Sequence, residues 1–574
     1  MSRGALENPS AARYAQGVEA AIVLIRGWAT RQRLAVTALV AGILVTAGRA
    51  LWLLGTKSFS IDEFQYTHAA WLVAAGKAPY RDFFDVHLPL VYQWLAIPIS
   101  AFGAEPESIA WLRFAFAPFG ALGCLALWKA AAARGAVAAG VSVAAFLGTP
   151  LVARHLVEVR ADVMATAFLM AAVAALEDSR PNARRGFVSG ACLGLACWAT
   201  QKAWVCATAF AVCFAIDLGW NRRRGRAALL ADPLAFATGA GLVAALAGVY
   251  LWLTGSLEAW WRWAVEWALE RERLYPGFSF KANVIAPLTT AAPLMVLALA
   301  GGVRALRAVG GNGVRWTEDR TLLVLLAALA ASASALVQVA PYPYTFLPAL
   351  AFAALLAARA VGGWLGAAAL AVLVASGQVA FTDIEDNSHQ RAVLRKLGEL
   401  TGPDDVVYDN SGSATARPHV SFFYATDALL RTQLQNSLAD ELPERILQSG
   451  CTAMIRDLRF DGLPPGLQAF LREHFQPYTS DLWLYGRRLE PGKGAHQFVA
   501  PRSGTYFAQP AAAAESGRIQ VDGHPVTGAT IELQRGAHEV RYDGDFAFYL
   551  LWLPRNGERW HPGPEGTPRF SRLL

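Results

Sequence analysis

Long apolar runs separated by short polar segments fill the first two-thirds of this chain. A helix needs about 20 mainly apolar residues to cross a bilayer. By that measure the pattern predicts membrane-spanning helices near residues 34–54, 109–131, 137–153, 161–177, 187–200, 203–219, 232–254, 284–304, 320–340, 344–360 and 364–381, about eleven in all. Thr200-Gln201-Lys202 interrupts the stretch 187–219 and predicts two short helices there rather than one tilted span. The connection 55–108 is long, and apolar spacing from Ile61 to Val73 predicts a helix lying on the membrane and ending at Gly76. A second long connection, 255–283, carries Trp260, Trp261, Trp263 and Trp267 beside Glu266, Glu270, Arg271 and Arg273. It suits an interfacial amphipathic helix, or a flap over a lipid-linked substrate.

Beyond about residue 382 the pattern shortens and alternates. Runs at 404–409, 452–456 and 482–486, with a helical pattern at 463–473, predict a small α/β domain over 382–492. Strand patterns at 496–500, 504–509, 519–526, 530–533, 538–542 and 546–553 predict a β-sandwich-like domain over 493–574. The expected fold class is a polytopic α-helical membrane protein: a tail 1–33, a transmembrane domain 34–381 with its first outer loop at 55–108, and two soluble domains.

Composition narrows the class. Hydrophobic residues make up 55% of the 574 and charged residues 17%, with a mean hydropathy of +0.31. Soluble chains carry about 25% charged residues, so disorder, coiled coil and a purely soluble enzyme are excluded. A net charge of +7 would raise nucleic acid as a partner. The basic residues, however, sit in short loops: Lys129 and Arg134; Arg180, Arg184 and Arg185; Arg222, Arg223, Arg224 and Arg226; Arg304, Arg307, Arg315 and Arg320. That asymmetry orients a membrane protein, with the N-terminus in the cytoplasm and, for an odd span count, the C-terminal domains outside. Five of the six cysteines lie in apolar runs and Cys451 stands alone, so no disulfide framework is expected.

Candidate chemistry gathers in two places. The first outer loop holds Asp62-Glu63, His68, Pro79-Tyr80-Arg81-Asp82-Phe83-Phe84, Asp85 and His87-Leu88-Pro89. Ser60-x-x-Glu63 is a capping box, which accounts for Glu63 and leaves Asp62 as the better candidate for a reacting carboxylate. Arg154, His155, Glu158, Arg160 and Asp162 form the second cluster; if helical, Arg154, Glu158 and Asp162 share a face at i, i+4, either as a salt-bridged helix end or as a phosphate and hydroxyl site. Lys202 adds a cation, or simply snorkels to the interface. Metal-ligand spacings, GxSxG, P-loop and GxGxxG motifs are absent, so no cofactor is expected and a divalent metal lacks support.

Together, Asp62-Glu63, the Pro79–Phe84 and His87–Pro89 stretches and Arg160-Ala161-Asp162 resemble the integral membrane glycosyltransferases of the C-type superfold (GT-C), in particular the protein O-mannosyltransferase and aminoarabinose transferase families. The resemblance covers roughly residues 34–490. It implies a bacterial inner-membrane enzyme that takes a sugar from a polyprenyl-phosphate donor on the periplasmic face. The sugar passes, with inversion, to a hydroxyl of a lipid, glycan or protein acceptor. It further implies Asp62 as general base, Glu63 as a supporting acid, Arg160 with Lys202 or His155 on the leaving phosphate, and Asp162 orienting substrate. Aminoarabinose-type relatives carry Lys-Pro where this chain has His87-Leu88-Pro89. A transporter or flippase of lipid-linked sugars is the alternative; it expects mid-membrane broken helices and inverted repeats, and no such symmetry is visible. A scaffold that binds through its β-domain is a third.

Overall fold

The structure is a computed structural model that describes residues 9–176, 182–223, 231–267, 279–311, 321–338, 341–361, 365–422, 440–492, 494–515 and 517–570. Arg180, Arg224, Arg226, Glu270, Arg271, Arg273, Arg315 and Arg320 lie outside these residues.

Helices occupy the apolar runs. They are α1 (Pro9–Thr56), α2 (Ile61–Ala74), α3 (Leu90–Phe102), α4 (Ile109–Ala132), α5 (Ala136–Leu147), α6 (Pro150–His155), α7 (Ala161–Ala175), α8 (Ala183–Ala199), α9 (Lys202–Arg223), α10 (Ala231–Leu253), α11 (Ala292–Gly311), α12 (Thr321–Leu336), α13 (Leu347–Ala357) and α14 (Leu365–Phe381). Among the described residues, Arg33–Thr56, Pro106–Ala132, Pro233–Leu253 and Pro343–Ala360 are long and apolar enough to cross a membrane. Lys281–Thr289 with Ala292–Arg307, bent by 69°, makes a fifth if counted as one span. The remaining apolar helices are shorter. Leu44, Leu51, Trp252 and Leu253 stay half or more exposed on α1 and α10. Such surface needs lipid as its solvent, and the protein is a multi-pass membrane protein.

The helices pack closely through small residues. A Cβ at Gly190 of α8 would stand 1.9 Å from the Phe236 carbonyl oxygen of α10, and one at Gly239 would stand 2.1 Å from that of Phe187. Backbones meet there because no side chain intervenes. The chain does break between α8 and α9: Thr200 is extended, and the Gln201 side-chain Nε2–H donates to the Val86 carbonyl at 2.7 Å.

Among the described residues the C-terminal part builds two sheets. Strands β1 (Val407–Tyr408), β2 (Ala453–Ile455), β3 (Phe475–Pro477), β4 (Leu482–Leu489), β6 (Gly504–Gln509), β9 (Thr530–Leu533) and β11 (Phe548–Trp552) form one, in the order β1-β2-β4-β11-β6-β9 with β3 also on β4. Strands β5 (Ala495–Ala500), β7 (Ile519–Val521), β8 (His524–Pro525) and β10 (Gly536–Tyr542) form the other, in the order β5-β10-β7-β8. The larger sheet runs across the boundary expected at 492–493, because β11 lies between β4 and β6. Leu484, Phe498, Tyr506 and Leu551 share one core.

This region docks on the first outer loop. Phe570 stacks on Phe64 of α2 at 5.2 Å. Gln390 bonds both the Phe59 amide and carbonyl at 2.6 and 3.0 Å. The Thr415 carbonyl meets His68 Nδ1 at 2.8 Å, and the Phe84 amide donates to the Phe422 carbonyl at 3.0 Å.

Candidate active site

Helix α2 starts at the lip of the membrane domain because its first turn is capped. Ser60 is extended, its side chain accepts from the Glu63 amide, and Glu63 reaches back to the Ser60 amide at 3.0 Å. The capping box is thus present, and it is only part of what holds Glu63. Arg113 of α4 donates to both Glu63 oxygens at 2.7 Å, and the Val159 amide adds a third donor at 3.1 Å. Neither Glu63 nor Arg113 has exposed side-chain surface.

Asp62, one residue earlier, has a different environment. Its side chain keeps 26% of its surface exposed, and its carboxylate takes a bond from Arg160 Nη1. Tyr344, just before α13, donates its O–H to the same group. Burial alone would raise the Asp62 pKa, but the charges of Arg160 and His87 outweigh it and hold the carboxyl below the ordinary carboxylate range. Asp62 is therefore ionised at neutral pH.

Glu158 anchors the second cluster. It has no exposed surface and binds Lys57, His155 Nδ1 at 3.0 Å and Arg160 Nε. Burial opposes its charge, yet Arg160 and Lys57 hold its pKa well below the usual range. Arg160 bridges the clusters: it joins Glu158 to Asp62 and lies 3.7 Å over the Tyr344 ring. At the start of α9, Lys202 bonds Asp162 at 2.9 and 3.1 Å, and its ammonium lies 5.2 Å from the Tyr344 ring. His87 bonds Asp85 and its ring lies 5.0 Å from that of Tyr66. Lys57, Arg113, Arg160 and Lys202 balance Asp62, Glu63, Glu158 and Asp162. Such balance is what a buried charge network requires.

Of the residues singled out from the sequence, the structure brings together Asp62, Glu63, His155, Glu158, Arg160, Asp162 and Lys202, with His87 acting on Asp62 electrostatically. Arg154 is not among them. The expected shared face for Arg154, Glu158 and Asp162 does not exist, because α6 ends at His155 and the chain turns before α7 begins at Ala161. That turn buries Glu158 between Lys57 and Arg160 and leaves Arg154 exposed. Lys57, Arg113 and Tyr344 escaped the sequence reading. The available signals were single cations at the end of one apolar run and inside another, and the helix-breaking Pro341-Tyr342-Pro343-Tyr344. Among the described residues no group of three or more His, Cys, Asp or Glu is placed to hold a metal ion.

No family model matches the sequence, and no curated protein matches it. Solved structures do. ArnT from Cupriavidus metallidurans in the apo state superposes with a TM-score of 0.51 at 13% identity, covering 74% of this chain and 94% of that one. The same protein bound to undecaprenyl phosphate gives 0.50 at 14% identity, with the same coverage. The oligosaccharyltransferase of Archaeoglobus fulgidus, in complex with Zn and sulfate, gives 0.46 at 12%, covering 76% of this chain and 71% of that one. The likeness to ArnT is one of fold, and the chain has the GT-C fold.

Proposed function

We propose that this chain, built on the fold it shares with ArnT, is an inverting glycosyltransferase of the bacterial inner membrane. It moves a sugar from a polyprenyl-phosphate donor to a hydroxyl of a lipid, glycan or protein acceptor on the periplasmic face. The observation that carries the proposal is Asp62: an ionised, partly exposed carboxylate bonded to Arg160, with Lys202 and His87 close by. Undecaprenyl phosphate in the ArnT structure supports the choice of donor. Eleven spans, a cytoplasmic N-terminus and an outer C-terminal region are the reading that the apolar runs and the basic loops support.

In this reaction Asp62 accepts the proton of the acceptor hydroxyl as its oxygen bonds the anomeric carbon. The bond from that carbon to the phosphate oxygen breaks, and the phosphate leaves with the electron pair. Arg160, Lys202 and His87 meet the developing charge. While Arg160 bonds Asp62 the carboxylate is a weak base. A phosphate that draws the guanidinium to itself restores its basicity. Asp162 orients substrate through Lys202, and Glu63, held by Arg113 and the Ser60 amide, braces α2 so that Asp62 stays at the lip.

The test is turnover of polyprenyl-phosphate sugars by membranes containing wild-type or Asp62→Asn protein, with products read by mass spectrometry. Asp62→Asn is expected to lose at least about 100-fold in rate while inserting normally. Full activity in that variant removes Asp62 as the base. Movement of the donor across vesicles with no product formed would replace transfer with transport.

A further inference from the structure

We propose that Asp85 is a positioning residue that holds the His87 imidazole as a cation for the donor's phosphate, so that capture of the lipid phosphate depends on pH. The inference rests on the function proposed above and deepens it.

Asp85 has no exposed side-chain surface, whereas His87 keeps 32% of its own. The carboxylate Oδ1 accepts both the His87 backbone N–H and the ring Nδ1–H, each at 2.8 Å. Oδ2 is buried and has no hydrogen-bond partner among the described residues. A carboxylate taken out of water is costly unless a cation offsets it. His87 is the side chain bonded to it that can supply that charge.

The surrounding backbone fixes the pair. Tyr80 adopts φ +67°, a left-handed conformation that tyrosine rarely takes unless its surroundings impose it. Its O–H donates to the His87 carbonyl at 2.5 Å, and that of Tyr92 does so at 3.2 Å. With Nδ1 committed to Asp85, Nε2 is the ring nitrogen left for a ligand. Arg160 and Lys202 are each already bonded to carboxylates. His87 has its counter-ion behind it instead, on the ring's other nitrogen.

The charged and titratable groups around His87 come from each element packed on it. Asp85 lies on its own loop, Asp62 and Tyr66 on α2, Lys202 at the start of α9, and Tyr80 and Tyr92 meet its carbonyl. Burial alone would lower the imidazole pKa, and Lys202 acts in the same direction. Asp85 and Asp62 outweigh both and raise it above the ordinary value. The ring is therefore cationic below that raised value and neutral above it. The cationic ring's contribution to phosphate capture should be present below that value and be lost as pH rises through it.

The experiment measures binding of undecaprenyl phosphate to the full-length protein in detergent across about pH 5.5 to 8.5. Wild type, Asp85→Asn, His87→Lys and the double variant are compared. Wild-type affinity should fall roughly tenfold or more as pH rises. Asp85→Asn should move that fall to lower pH. His87→Lys should flatten it, and adding Asp85→Asn to His87→Lys should change nothing further, because a lysine is charged without help. A flat wild-type profile overturns the inference. So does an Asp85→Asn loss that is equal with and without His87→Lys, since that marks a merely structural role. Should wild type hold undecaprenyl phosphate at no pH, the proposed function itself fails and the inference with it. A second readout needs no Asp85 variant: the His87 ring signal, assigned by its loss in His87→Gln, is titrated by NMR. A pKa at or below 6.5 overturns the inference.

Discussion

Adjacent residues can carry opposite assignments when their partners differ. Asp62 and Glu63 are neighbours, yet one is 26% exposed with an arginine it can share, and the other is sealed by Arg113. The capping role of Glu63 was legible in Ser60-x-x-Glu63; the Arg113 pairing, 50 residues away in an apolar run, was not. His68 makes the same point and yields a prediction. It is fully buried where α2 meets the C-terminal region, and burial with His419 nearby pushes its pKa down to about 4. In the unfolded chain a histidine titrates near 6.5. Between those values the unfolded state binds a proton that the folded state does not, so stability falls as pH drops from about 6.5 to about 4, by roughly 3 kcal/mol in total. Thermal unfolding in detergent as a function of pH should show that decline, and His68→Gln should flatten it.

At the scale of elements, glycine spacing decides how closely helices meet. In α8, Gly190 faces the Phe236 carbonyl of α10 with no room for a Cβ, and Gly239 returns the contact to Phe187. Gly301 of α11 stands the same way against the Leu356 carbonyl, 1.8 Å from where its Cβ would lie. Backbone cannot yield as a side-chain tip can. Gly190→Leu is therefore expected to part α8 from α10 and abolish monodisperse elution from size-exclusion in detergent, whereas Gly241→Leu, with nothing within 4 Å of its Cβ, should elute normally. The helices themselves were legible as apolar runs, and so was the break at Thr200-Gln201. The turn between α6 and α7 was not, because nothing in a helical i, i+4 pattern announces that Glu158 is wanted elsewhere.

For the whole molecule, the C-terminal sheets and the membrane helices form one continuous assembly. Strand β11 lies between β4 and β6, so the last strand of the chain completes a sheet begun well before residue 493. Phe570 then packs on Phe64, next to the capping Glu63. A protease site engineered after Gly492 should accordingly leave two pieces that co-elute until denaturant is added. Separation of a folded C-terminal piece in native buffer would show that the β4–β11 pairing contributes little. Simple deletion of the terminal strands is expected to unfold the region above α2, and is a poor way to ask whether that region binds anything.

By itself, the sequence determined what depends on neighbours a few residues apart. Apolar runs made membrane helices, because a spanning helix satisfies its own backbone within the segment. Ser60 with Glu63 made a cap, and alternation made strands close to their observed positions. Tertiary structure decided the rest: which carboxylate is sealed and which is free to react, which cation each one meets, and which strand closes the sheet. Arg160 reaches Asp62 across 98 residues and Lys57 reaches Glu158 across 101. Pairing at such separations follows from how the helices pack, since buried charges settle wherever that packing brings opposite sign within bonding distance.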